Sequence, residues 1–135
     1  MRILMIDDSR MIRLVHERAL ANAGYEVIGA SDGEDGLRMA HEWKPDLIVL
    51  DLLLPKLAGQ DVLRCLKQDL ETRDIPVVVL TGLSRNNAAK LANEGAADFV
   101  EKKADRAEVD PQTLVKAVRR VLSSQSRFRI ACADA

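Results

Sequence analysis

Five short blocks rich in branched aliphatic residues punctuate the chain: ILMI at 3–6, YEVIGA at 25–30, DLIVLD at 46–51, VVVLT at 77–81 and ADFVE at 97–101. Each has the length of a strand, and several are apolar without alternation, the pattern of strands buried on both faces of a parallel sheet. Between them the apolar positions change to helical spacing. Ile12, Val15 and Ala19 form one stripe, Leu37, Ala40 and Trp43 a second, and Leu63, Leu66 and Leu70 a third. The clearest stripe is Leu114, Val115, Val118, Val121 and Leu122, with Lys116, Arg119 and Arg120 on the opposite side. It predicts a packed amphipathic helix with a solvated basic face.

Punctuation supports the same register. Gly24 and Gly95 stand where the first and fourth helices should end, as residues that accept a left-handed backbone. Asp110 followed by Pro111 reads as the cap and first residue of a fifth helix. Strand and helix alternating five times predict one parallel sheet with helices on both faces, because crossovers are right-handed. The order expected is the doubly wound 2-1-3-4-5. Residues 102–110 form a charged connection, and residues 123–135, SSQSRFRIACADA, lack periodicity and read as a tail or the start of a linker. The expected organisation is therefore one domain over 1–122 followed by that tail, with no room for an output domain.

Composition narrows the function classes. The 135 residues carry 20 basic and 21 acidic side chains, a net charge of −1. That balance gives no electrostatic case for nucleic acid or an anionic membrane, and four aromatics, Tyr25, Trp43, Phe99 and Phe128, do not make a base-stacking platform. Cys65 and Cys132 are far apart and form no metal-ligand spacing. The N-terminal apolar run is broken at Asp7 and Asp8, short of a signal peptide, and no apolar block approaches the ~20 residues of a membrane helix. A cytoplasmic protein is expected.

In open parallel sheets the ligand site lies beyond the carboxyl ends of the strands, where the strand order reverses. With the order 2-1-3-4-5, the first and third strands are neighbours at that point. The first ends in Asp7 and Asp8, and the third in Asp51. Like charges ~4 Å apart repel by about 4 kcal/mol per pair at an effective dielectric of about 20, so three converging carboxylates must protonate or hold a cation. Hard oxygen donors suit Mg²⁺, which keeps water ligands and accepts phosphate oxygens. The fourth strand ends in Thr81 beside Gly82, and the fifth runs into Lys102 and Lys103. A hydroxyl and an ammonium next to a metal are what a transferring phosphoryl group requires.

These residues resemble the receiver domain of bacterial two-component response regulators, in the single-domain form of the chemotaxis regulators, over about residues 1–122. DD at 7–8 is similar to the family's acidic pair. DLLLPKLAG at 51–59 is similar to its phosphoacceptor segment, with Pro55 and Gly59 four and eight residues after Asp51. VVVLTG at 77–82 and GAADFVEK at 95–102 resemble the Thr motif and the segment with an aromatic three residues before the family's Lys, which selects Lys102 over Lys103.

The resemblance implies a flavodoxin-like (βα)5 fold and a signalling switch. Asp51 would be the nucleophile that takes a phosphoryl group from a phosphohistidine of a sensor histidine kinase or phosphotransfer protein. Asp8, Asp51 and the Leu53 backbone carbonyl would bind Mg²⁺ directly, and Asp7 through water. Lys102 would pair with a phosphoryl oxygen. Thr81 would move toward that group and Phe99 would turn inward, carrying the change to the face of the fourth helix, fifth strand and fifth helix. There a downstream effector or output domain, or a second copy of the chain, would respond. Such a protein catalyses its own phosphoryl transfer and slow dephosphorylation, without turnover of an external substrate.

Two departures from the family carry expectations of their own. Lys103 occupies the place of the usual proline, and a cis bond without proline costs about 2.5–4 kcal/mol, so a trans Lys102–Lys103 bond is expected. Leu53 and Leu83, each two residues beyond Asp51 or Thr81, are apolar along the expected water path, which predicts a comparatively long-lived phosphorylated state. Three other readings compete. A Mg²⁺-dependent phosphatase with an aspartate nucleophile needs a second carboxylate where Leu53 stands. A flavin-binding module needs a phosphate loop where DDSR places two carboxylates. A degenerate receiver, acting as an unphosphorylated interaction module, is favoured only by the missing proline.

Overall fold

The computed structural model describes residues 1–52, 58–81, 92–102 and 110–133, with side chains described as far as Ser124. The elements run β1 (Arg2–Ile6), α1 (Arg10–Asn22), β2 (Glu26–Ala30), α2 (Gly33–Trp43), β3 (Leu47–Asp51), α3 (Gly59–Gln68), β4 (Val77–Thr81), β5 (Asp98–Glu101) and α4 (Pro111–Ala133). All five strands are parallel, in the order β2-β1-β3-β4-β5, as the sequence predicts.

The unbroken apolar runs have the cause inferred for them. Successive side chains of a strand point to opposite faces, and both faces of the sheet are covered. Ile3, Met5, Leu47, Val49, Val78 and Leu80 pack with Leu20 of α1 and with Leu114, Val115, Val118, Val121 and Leu122 of α4. Leu4, Ile6, Ile48, Leu50, Val77 and Val79 pack with Ala40 of α2 and with Val62, Leu63 and Leu66 of α3. Every residue of β3 and β4 is buried.

Turn chemistry follows the sequence where a left-handed backbone is needed: Gly24 and Gly95 have φ of 100° and 107°. The chain leading to Gly95 is described from residue 92, so most of the expected fourth helix lies outside the described residues. At the start of α4, Asp110 Oδ1 accepts from the Gln112 N–H at 2.9 Å, as its cap assignment requires.

Three details differ from the sequence reading. In α1 the buried positions are His16 and Leu20, while Val15 is 48% exposed. A stripe drawn through Ile12, Val15 and Ala19 was therefore rotated from the true inward face by about one position. In the third helix the chain leaves helical geometry after Gln68, so Leu70 is off the stripe and 74% exposed, and Val62 joins Leu63 and Leu66 in the core. The segment after residue 122, expected as an aperiodic tail, continues α4 to Ala133. Once a helix is nucleated each further residue adds a hydrogen bond without a new nucleation cost, so an amphipathic stripe is not needed to prolong it.

Candidate functional site

Strand register brings the acidic residues together. Ile6 pairs with Leu50, so the next residues of the two strands, Asp7 and Asp51, leave the sheet side by side at its carboxyl edge. Asp7, Asp8 and Asp51 each place a carboxylate oxygen within 4.8 Å of the others. Asp7 and Asp51 are buried and Asp8 is exposed, which gives the cluster one wall open to solvent.

Local structure fixes each group. The Asp7 N–H donates to the Ala30 carbonyl at 3.1 Å, tying the β1 exit to β2. Asp7 Oδ1 accepts from the Ser9 N–H at 2.9 Å, and Ser9 Oγ caps α1 by accepting from the Ile12 N–H at 3.3 Å. The helix cap is thus Ser9, leaving the Asp8 carboxylate to the crevice. Burial raises the Asp7 pKa to about 6; the Ser9 N–H and Lys102 pull it down, while Asp51 and Asp8 push it up.

Lys102 closes the other side. Its backbone N–H donates to the Thr81 carbonyl at 2.8 Å, just past the paired residues Thr81 and Glu101. Its ammonium donates to Asp51 Oδ1 at 2.9 Å, and both side chains are largely withdrawn from solvent. Thr81 is buried at the carboxyl end of β4. Phe99 is half-buried and packs toward the α2 and α3 face. Asp7, Asp8, Asp51, Thr81 and Lys102 therefore share one edge of the sheet, as their positions at strand ends predict. Leu53, Pro55, Gly82, Leu83 and Lys103 lie outside the described residues.

Two contacts that support the site were missed in the sequence. Gly59 opens α3 against the β3 exit: a Cβ there would collide with Leu52 Cα and lie 2.7 Å from the Asp51 carbonyl oxygen. Arg13 Nη1 donates to the Asp7 carbonyl at 2.8 Å. The available signal for the second contact was Gly29, a glycine inside a strand, where close approach of another group is a usual reason.

The donor set suits a hard divalent cation: among the described residues it is three carboxylates at one spot, two of them buried, with no sulfur or imidazole, and the Lys102 ammonium stands at its edge paired with Asp51. Fold and site together define a doubly wound α/β protein with an acidic, lysine-flanked crevice at its switch point. Residues 3–119 match the family model of the response regulator receiver domain, and the chain belongs to that family. It is 33% identical over 123 residues to the protein PilH of Pseudomonas aeruginosa, covering 90% of this chain and 98% of PilH. It is 40% identical over 120 residues to the alkaline phosphatase synthesis transcriptional regulatory protein PhoP of Bacillus subtilis, covering 88% of this chain and 48% of PhoP. The chain spans about half the length of several curated relatives it matches. Among solved structures, the chemotaxis protein CheY4 of Vibrio cholerae superposes with a TM-score of 0.79 at 29% identity, over 89% of this chain and 97% of that one. No described helix is long and apolar enough to cross a membrane.

Proposed function

We propose that this receiver is a phosphorylation-dependent switch in which Asp51 is the phosphoacceptor. A carboxylate oxygen of Asp51 attacks the phosphorus of a phosphohistidine, the P–N bond breaks, the imidazole leaves, and Asp51 carries an acyl phosphate. Asp7, Asp8 and Asp51 are the residues that would hold Mg²⁺. When bound, the ion neutralises the clustered carboxylates and the charge on the phosphoryl oxygens. Lys102 moves its ammonium from the Asp51 carboxylate to a phosphoryl oxygen, so the cation already paired with the nucleophile steadies the product. The observation that carries this reading is the meeting of three carboxylates within 4.8 Å of one another, with the Lys102 ammonium 2.9 Å from Asp51.

Thr81 and Phe99 are the switch residues in this scheme. The Thr81 hydroxyl turns toward the phosphoryl group and Phe99 rotates inward, a two-state equilibrium biased by one new ligand. The donor is a sensor histidine kinase or phosphotransfer protein, met by this receiver in the cytoplasm. The receiver of the signal is an effector protein or an output domain at the face that includes β5 and α4, which a second copy of the chain can also occupy.

The test is incubation with acetyl phosphate and Mg²⁺ followed by intact mass measurement. One added phosphoryl group is expected on the parent protein and none on Asp51→Asn. Failure of the parent protein to gain it would replace this reading with that of an unphosphorylated interaction module.

A further inference from the structure

Gly29 lies inside β2, and its backbone is not among those with positive φ, so backbone geometry does not account for a glycine there. Its surroundings do. A Cβ at Gly29 would overlap Glu17 Oε1 and lie 2.7 Å from Arg13 Cδ and 2.9 Å from Arg13 Nε. The strand surface is thus hollowed beneath a largely buried ion pair, Arg13 Nε to Glu17 Oε1 at 3.5 Å, whose side chains are 18% and 23% exposed.

The other end of the same guanidinium reaches the acidic site, where Arg13 Nη1 donates to the Asp7 carbonyl at 2.8 Å. That carbonyl belongs to the peptide that joins Asp7 to Asp8. The neighbouring groups of Asp7 are also held, its N–H on Ala30 and its carboxylate on the Ser9 N–H. The Arg13 bond fixes the remaining freedom, the plane of the Asp7–Asp8 peptide. Tilting that plane swings the exposed Asp8 carboxylate relative to Asp7 and Asp51.

We propose that Arg13, seated by Glu17 in the space left by Gly29, is a positioning residue that orients the Asp7–Asp8 peptide and so sets the geometry of the three carboxylates. Arg13 touches neither cation nor phosphoryl group; it acts through the peptide. The proposal rests on the reading of those carboxylates as a Mg²⁺ site, in which groups behind the ligands commonly change metal affinity by about 10–100-fold.

The experiment is calorimetric titration with Mg²⁺ well below the unfolding temperature, on folded protein verified by circular dichroism. Arg13→Gln and Gly29→Ala are each expected to weaken binding by about tenfold, and Arg13→Lys, which keeps a donor, to recover part of the loss. Arg13→Ala with Gly29→Ala should bind no more weakly than Arg13→Ala alone, because Glu17, freed from its pair with Arg13, can then swing clear of the added methyl and no guanidinium is left to displace. Wild-type affinity in folded Arg13→Gln, or independent and additive losses in the double variant, would overturn the positioning role. Absence of Mg²⁺ binding by the wild-type protein is a different result, and it would remove the metal reading and this inference together.

Discussion

The ammonium of Lys102 lies 2.9 Å from Asp51 Oδ1 across 51 residues of chain, joining the exits of β5 and β3. Their side chains are only 9% and 5% exposed. Removing one member of such a pair leaves a charge in a poorly solvated place, at a cost of about 3 kcal/mol. Lys102→Ala is expected to lower the urea unfolding free energy by about that amount in chelator, with part regained in Mg²⁺. An unchanged unfolding midpoint in chelator would contradict the pair's role. Labelling by acetyl phosphate should fall sharply in the same variant.

Asp7 opposes folding in the absence of cation. Its pKa is raised to about 6 from an ordinary 3.8, burial being the main cause. The folded protein therefore holds this proton more tightly than the unfolded chain, and stability falls as pH rises from about 4 to about 6, then stays reduced. The shift corresponds to roughly 3 kcal/mol. Asp7→Asn, which keeps an acceptor for the Ser9 N–H, should raise the urea midpoint at pH 7.5 in chelator and flatten the profile between pH 4 and 6. Mg²⁺ should stabilise the parent protein more than this variant, by up to about 2.7 kcal/mol at a concentration of about 100 Kd.

Gly59 tests the packing behind Asp51, the proposed phosphoacceptor. A side chain there meets the backbone of Leu52 and Asp51, which cannot rotate out of the way. Gly59→Ala should cost about 1–3 kcal/mol of stability and slow phosphorylation by shifting the β3 exit. Denaturation and labelling kinetics measured together check both; a neutral substitution on either count would show that α3 can move away without consequence.

His41 ties the end of α2 to the turn after α3. Its Nε2 lies 2.6 Å from Asp69 and its Nδ1 3.0 Å from Glu71, so both nitrogens donate only in the imidazolium form. Its pKa is raised, first by the Glu71 hydrogen bond and then by Asp69. The small stabilisation is complete below the ordinary value of about 6.5 and is lost as pH rises through the folded-state pKa. A proton NMR titration should place the His41 midpoint above 6.5, and Glu71→Gln should lower it. A midpoint unmoved by that substitution would show that the contact is not made in solution.

Much of this was legible because the information was local. Unbroken runs such as VVVLT at 77–81 mark strands covered on both sides, and Asp7, Asp8, Asp51, Thr81 and Lys102 each sit at the end of such a run, where parallel sheets place ligands. A pattern of period near two or near 3.6, with its stops, carries the elements and their edge chemistry, and the strand order follows from the doubly wound rule for alternating strands and helices.

Placement that depends on angle or on distant neighbours was decided only by the tertiary structure. The phase of α1 turns His16 inward in place of Val15, a rotation set by which side meets β1 and β2. The end of α3 at Gln68 leaves Leu70 in solvent, and α4 runs past residue 122 to Ala133. The contact of Arg13 with the Asp7 carbonyl, over a hollow made by Gly29, joins three elements at once. The sequence determined which chemical groups reach the crevice, because that follows from periodicity and strand ends. Only the folded chain decided how they are held, because holding them depends on side-chain directions and on space that distant residues leave empty.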